Sequence, residues 1–334
     1  MLTVLLATRN RGRMLREVLE AYRRLQKPSG GWKVVVVDNG STDETADVLA
    51  SFKGILPLDA ISEPRSGKNQ ALNTGLKLVE GDLTVFTDDD VFPSEDWLVQ
   101  LREAADAHPL FSIFGGSVVP RWEVAPPAWI HRVIVTIPPP GKTYEVWSGP
   151  VYTLTDQSIQ GGPVVPGLVY GPNMAIRTSI LQSGVSFDEA IGPRGSSYPM
   201  GSETEILLRL SRQGNRAWYV KEAIVEHFIR KEQLQKSWVL RRAVRYGRGQ
   251  HRLGPNKNLW MGIPRRLFRD IPKEAFLMAR ASLVFRPDDL FRAHWRFNFL
   301  RGQAYEALMI ARARRAEHKM KKEIADQPRP APSA

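Results

Sequence analysis

Short apolar runs alternate with helix-like patterns through the first hundred residues. Residues 1–7, the β-branched run 34–37 and residues 83–87 read as buried strands, while 69–78 carries apolar positions at helical spacing after the polar segment Glu63-Pro64-Arg65-Ser66-Gly67-Lys68. Strands and helices in this alternation predict βαβ units and a parallel sheet. From about 115 to 200 the chain is rich in Gly and Pro, with strand-like pieces at 116–119 and 168–170. That stretch is expected to extend the sheet with mixed strands and long loops. Ile206, Leu207 and Leu210 predict a helix that begins past Glu203 and stops at Gly214, and a strand over 217–225 then leads to His227. Past about 235, Trp238, Leu240, Trp260, Leu267, Phe268, Phe276, Leu277 and Phe291 fall in helical patterns among many Arg.

The expected fold class is therefore α/β: a mixed, mostly parallel central sheet over 1–235, divided near 115, then a helical extension over 236–325 and a Pro-rich, disordered tail over 326–334. With 334 residues, 43% of them hydrophobic and 25% charged, the chain can bury a sizeable core. It has no cysteine, so any metal must be held by carboxylate, imidazole or water. No apolar stretch reaches the roughly 18 residues of a spanning helix, and the first run is too short and lacks a basic leader for a signal peptide. These features fit a cytoplasmic protein, soluble or peripheral. The net charge of +12 admits nucleic acid, an anionic membrane surface or phosphorylated substrates as partners.

Asp88-Asp89-Asp90 follows a hydrophobic strand. Three adjacent carboxylates repel unless a cation or protons neutralise them, which suits Mg²⁺ or Mn²⁺ sharing one or two carboxylates with a bound diphosphate. The alternative is an exposed acidic turn that caps a helix. Asp38 ends the neighbouring strand, the basic stretch Arg65-Ser66-Gly67-Lys68-Asn69 lies between them, and Gly171-Pro172-Asn173 comes later. Ligands of open α/β sheets bind at the carboxyl ends of strands, so these residues can hold a base and ribose on one side and a diphosphate on the other. Arg65 or Lys68 would face phosphate, or else be solvated loop charges.

The succession Val36-Val37-Asp38-Asn39-Gly40-Ser41-Thr42-Asp43, Gly67-Lys68-Asn69-Gln70-Ala71-Leu72-Asn73 and Thr87-Asp88-Asp89-Asp90-Val91-Phe92-Pro93 resembles the family-2 glycosyltransferases over about the first 230 residues. The resemblance implies a GT-A fold and an inverting, metal-requiring transfer of sugar from a nucleotide diphosphate donor, a UDP- or GDP-sugar. By position it puts Asp38 at the nucleobase, Asp88 at the ribose, Asp90 on the metal, and Thr8 and Arg9 in the wall of the nucleotide pocket. Asp89, the middle residue of the D-x-D pattern, joins Lys68, Asn69 and Asn173 in the expected donor-binding set. The catalytic base falls on Glu203, with Ser202 where the family commonly has Glu; otherwise Glu203 and Glu205 only complement a helix N-terminus. His227 would complete the metal shell or contact the diphosphate, against the common structural role of a lone His.

The resemblance also implies synthesis of a cell-surface polysaccharide or glycolipid, with a glycan or lipid-linked acceptor served from the half over 116–235. The basic, aromatic extension has two readings: a helical subdomain packed on the catalytic domain, or peripheral contact with the inner face of a membrane. Tyr246-Gly247 and the surrounding Arg241, Arg242, Arg245 and Arg248 could approach the donor phosphates. Three other functions compete: a nucleic-acid-binding protein, which leaves the acidic strand ends unexplained, an inactive nucleotide-sugar binder, and a nucleotidyltransferase. No nucleic-acid partner is expected.

Overall fold

The structure is a computed structural model that describes residues 1–136, 145–195, 197–254 and 258–325; the expected tail at 326–334 lies outside the described residues. The strands of the main sheet are β1 (Leu2–Thr8), β2 (Trp32–Asp38), β3 (Leu58–Ser62), β4 (Leu83–Phe86), β5 (Val91–Pro93), β6 (Ile113–Trp122), β7 (Gly162–Val164), β8 (Met174–Arg177) and β9 (Ala217–Ile229). The helices are α1 (Gly12–Tyr22), α2 (Thr45–Ser51), α3 (Lys68–Gly75), α4 (Trp97–Ala107), α5 (Ala128–Val133), α6 (Ser148–Tyr152), α7 (Thr178–Gln182), α8 (Ser202–Arg212), α9 (Lys236–Leu253), α10 (Leu267–Leu283) and α11 (Pro287–Ala325).

The sheet order is β3-β2-β1-β4-β8-β6-β9-β5, with β7 added to β9. β3, β2, β1 and β4 run parallel, β8 opposes both β4 and β6, and β6 is parallel to β9. Leu2, Val4, Leu6, Val34 and Val36 enter one core cluster, and Leu5, Val35 and Val37 enter the other. Alternate side chains of a strand point to opposite faces, so these uniformly apolar strands need cover on both sides. α1 and α4 give Leu15, Leu19, Trp97 and Leu101 to the first core; α3 and α8 give Leu72, Ile206 and Leu210 to the second.

Residues 168–170 depart from expectation. Pro166–Leu168 is a 3₁₀ turn instead of the start of a strand. Pro166 has no N–H for a ladder, which disfavours strand pairing at this point.

The sheet core continues into the helical extension. Val239 and Ala243 of α9, with Phe291 and Trp295 of α11, belong to the same cluster as the strands and α1. α9 and α11 lie backbone to backbone: a Cβ on Gly247 would strike the carbonyl of Phe299, and one on Gly302 that of Val244. Among the described residues, no helix is long and apolar enough to cross a membrane.

Candidate active site

β1 and β2 are in parallel register, with Thr8 beside Asp38, and β4 delivers residues 88–90 to the same edge of the sheet. β5 then pairs antiparallel with β9, Val91 opposite His227, and the Phe228 N–H donates to the Asp90 carbonyl at 2.9 Å. Sheet register thus brings the last aspartate to the histidine. The edge forms one side of a cleft of about 840 Å³, whose lining includes Thr8, Arg9, Lys68, Asp88, Asp89, Asp90, Glu203 and His227.

Asp89 and Asp90 are both buried, at 9% and 7% exposure, so their charges require partners. Thr8 Oγ1 donates to Asp89 Oδ2 at 2.8 Å. Arg11 binds Asp90 Oδ2 at 2.8 Å and stands 3.6 Å from Asp89, while Arg230 reaches Asp90 at 3.4 Å. Burial pushes the Asp89 carboxyl up to about 6; Arg11 opposes the rise and Asp90 adds to it. Burial works the same way on Asp90, but His227, Arg11 and Arg230 outweigh it and hold that carboxyl below its usual value.

His227 Nδ1 lies 2.7 Å from the carbonyl oxygen of Tyr152. Donation there leaves Nε2 as the nitrogen that faces Asp90 Oδ1, at 3.6 Å. An imidazole nitrogen and a carboxylate so arranged fit a divalent cation that takes its remaining ligands from a substrate. Among the described residues, no group of three or more His, Asp or Glu is arranged to hold a metal ion.

Lys68 opens α3 and bridges the cleft, 2.6 Å from Asp88 and 3.0 Å from Glu203. Although burial works against its charge, the two carboxylates raise its pKa. Glu203 stands in the first turn of α8 after Gly201, whose φ of +106° is a conformation L side chains rarely adopt. A side chain on Gly171 would collide with Glu203, so the Gly-Pro-Asn turn makes room for that carboxylate. Burial alone would raise the Glu203 pKa, but Lys68 reverses this and keeps it below the ordinary range. Glu203 is therefore ionised at neutral pH, as a proton acceptor must be.

Four sequence-predicted residues do not line the cleft. Asp38, unlike the next residue Asn39, is not among the lining residues; its carboxylate accepts from the Ser41 N–H at 2.9 Å. Arg65 was expected to face phosphate, but its guanidinium closes a two-bond fork on Glu63 instead. Asn69 donates to the carbonyls of Asp188 and Ile191, pinning the loop that precedes α8. Asn173 is fully buried, accepting from Trp97 Nε1 and donating to the carbonyls of Ser117 and Ala223. The last two position the cleft walls from behind.

The opposite wall is formed partly by α9. Arg242 donates to the Pro150 carbonyl at 2.7 Å and to Thr153 Oγ1 at 3.3 Å, and burial lowers its pKa. Arg245 lies over the Tyr198 ring at 5.2 Å. Trp147, Trp238 and Tyr246 complete this aromatic side. Sequence reasoning missed Arg11, Arg230, Trp147 and Tyr198. A charge-balance argument points to Arg11, three residues past Thr8 in the loop after β1; the other three carry no periodic signal.

The family model described as "Glycosyl transferase family 2" matches residues 3–181. A pre-mycofactocin glycosyltransferase of Mycobacterium tuberculosis is 27% identical over 248 residues, covering 72% of this chain and 45% of that protein. The chain thus spans less than half the length of this curated relative. Glycosyltransferase AglE of Haloferax volcanii is 30% identical over 98 residues, 29% of this chain and 32% of its own. Among solved structures, the mannosyltransferase PcManGT from Pyrobaculum calidifontis, in complex with GDP-Man and Mn²⁺, superposes with a TM-score of 0.56 at 21% identity, covering 92% of this chain and 86% of that one. S. aureus TarS 1–349 in complex with UDP gives 0.51 at 14% identity, with 90% of each chain covered. These likenesses establish the GT-A fold.

Proposed function

The chain belongs to glycosyl transferase family 2, and on that premise we propose an inverting, divalent-ion-dependent transferase that moves a sugar from a UDP- or GDP-sugar to a hydroxyl of a glycan or lipid-linked acceptor. Its place would be in cell-surface polysaccharide or glycolipid synthesis, at the inner face of the membrane. The observation that carries the reading is the single cleft in which Asp88, Asp90, His227, Lys68 and Glu203 converge at the strand tips. The GDP-Man and Mn²⁺ of one structural neighbour and the UDP of another support the choice of donor and ion.

In this reading the base and ribose lie against Thr8, Arg9 and the Asp38 loop, with Asp88 at the ribose. Asp90 and His227 would hold Mn²⁺ or Mg²⁺, which when bound neutralises the diphosphate. Arg11, Arg230 and Lys68 offer charge-assisted hydrogen bonds to the same phosphates. A diphosphate competes with Glu203 for Lys68, and Glu203 released from that pair is a stronger base. Glu203 takes the proton of the acceptor hydroxyl while that oxygen bonds to the anomeric carbon from the face opposite the diphosphate. The bond from the anomeric carbon to the diphosphate oxygen breaks, the configuration inverts, and the nucleoside diphosphate departs.

A thermal-shift panel of UDP-, GDP-, CDP- and dTDP-sugars, with and without Mn²⁺, tests the donor and the ion. An Mn²⁺-dependent shift with a UDP- or GDP-sugar is expected, as is nucleoside diphosphate release on turnover. Release of pyrophosphate would identify a nucleotidyltransferase and overturn the reading.

A further inference from the structure

The solvent side of α10 carries an apolar row. Phe268, Pro272, Phe276, Ala279 and Leu283 recur at steps of three and four residues, which is one face of a helix. Phe268, Phe276 and Leu283 are 46%, 67% and 80% exposed, whereas Leu267, Glu274 and Ala281 on the other side are buried. The row is prolonged at both ends. Trp260, 51% exposed, stacks edge-on against Phe268 with ring centroids 5.0 Å apart. Past the helix, Phe285 is 91% exposed at a φ of +50°, a strained conformation for a bulky residue that leaves its ring in solvent.

Cations flank this row. Between residues 259 and 286, Arg265, Arg266, Arg269, Lys273, Arg280 and Arg286 are all exposed. The two acids of the stretch are already engaged. Asp270 pairs with Arg266 and Arg269, Glu274 is buried against Arg296 at 3.0 Å, and Asp289 just past the stretch stands 3.7 Å from Arg286, whereas Arg265, Lys273 and Arg280 make no ion pair among the described residues. A contiguous apolar row marks a contact surface where a lone exposed apolar residue does not.

We propose that this face of α10 lies in the headgroup layer of an anionic phospholipid bilayer, with Phe276, Leu283 and Phe285 reaching the acyl boundary and the cations on lipid phosphates. Charge complementarity selects the lipid over a second copy of the chain, because a self-paired face would oppose like cations. The docking deepens the reading of a membrane-linked acceptor but rests on it only for its purpose.

The test is co-sedimentation of the full chain with vesicles of phosphatidylcholine alone and of phosphatidylcholine with phosphatidylglycerol. Binding is expected to the anionic vesicles, falling with added salt, and little to the neutral ones. The triple variant F276E/L283E/F285E is expected to lose it while melting temperature and nucleotide-sugar binding stay unchanged. Lys273→Glu alone should weaken it by about fivefold or more, the contribution of one cation near such a surface. Absence of sedimentation with anionic vesicles, or equal binding by wild type and triple variant, overturns the proposal. So does a wild-type dimer that the triple variant turns into a monomer, which would put a second copy on this face. Nucleotide-sugar binding is read separately, so failure of the docking leaves the transferase reading intact, and the reverse.

Discussion

The two walls of the cleft handle charge in different ways. At the strand tips, each buried anion already has a cation: Arg11 and Arg230 on Asp90, Lys68 between Asp88 and Glu203. On α9, Arg242 and Arg245 make contacts with a carbonyl, hydroxyls and aromatic rings, not carboxylates. The first wall must exchange partners when a ligand arrives. The second, at these two arginines, makes no direct ion pair among the described residues, although Arg242 feels the charges of Glu203 and Asp90, so it can meet an anion without breaking one.

Glu203→Gln should give the largest effect. Turnover is expected to fall by about 10² to 10⁴-fold, the usual worth of a general base, with nucleotide-sugar affinity by calorimetry unchanged. Near-normal release of nucleoside diphosphate would move the base elsewhere on that wall. Asp90→Asn is expected to weaken Mn²⁺-dependent binding of the nucleotide sugar by about a hundredfold, as loss of one member of a buried charge cluster does. Calorimetry with and without Mn²⁺ reads it, and an unchanged affinity would remove the ion from Asp90.

A matched pair of variants sharpens the contrast between walls. Arg11→Gln removes the cation shared by two buried carboxylates and should lower stability by about 2 kcal/mol in denaturant unfolding, with partial rescue by Mn²⁺. Arg242→Gln breaks no direct ion pair, so it should change stability less but weaken ligand binding by about tenfold. If both variants lost stability equally, the walls would not differ in the way described.

The smallest effect is in pH. The folded protein holds the Asp89 proton up to about 6, while an unfolded Asp releases it near ~3.9. Between those values the folded state binds more protons, so without added ion stability falls as pH rises through the window. Glu63 has the opposite sign, held down to about 2 by Arg65 and Thr74; its contribution is present above ~4.3 and is lost as pH drops towards 2. Melting temperatures across pH should show a decline from about 4 to 6, and Mn²⁺ with the nucleotide sugar should flatten it.

The strand-tip wall was legible in the sequence because the β-branched runs fix parallel strands, and parallel order carries their terminal residues to one edge. Thr8, Asp88, Asp89 and Asp90 arrive in the cleft for that reason, Lys68 and Glu203 each stand at the start of a helix, and His227 is set by the antiparallel pairing of β5 with β9. Motif position did not reveal which way each side chain turns. Arg65, Asn69 and Asn173 lie in the same motifs, yet their partners are Glu63 and main-chain carbonyls. The α9 wall was less legible, since Trp147 and Tyr198 stand in irregular chain and reach the cleft by contacts between distant segments. The continuation of one core from sheet into α9 and α11 is equally non-local, so the change in composition near 235 gave no sign of it.

Gly247 and Gly302 leave α9 and α11 no gap into which even a methyl group would fit. Interlocked this closely, the two helices behave as one beam, and a hinge between them has no room to work. A tilt of α11 would therefore be passed to α9, which carries Arg242 and Arg245, and widening the cleft on that side would move both helices.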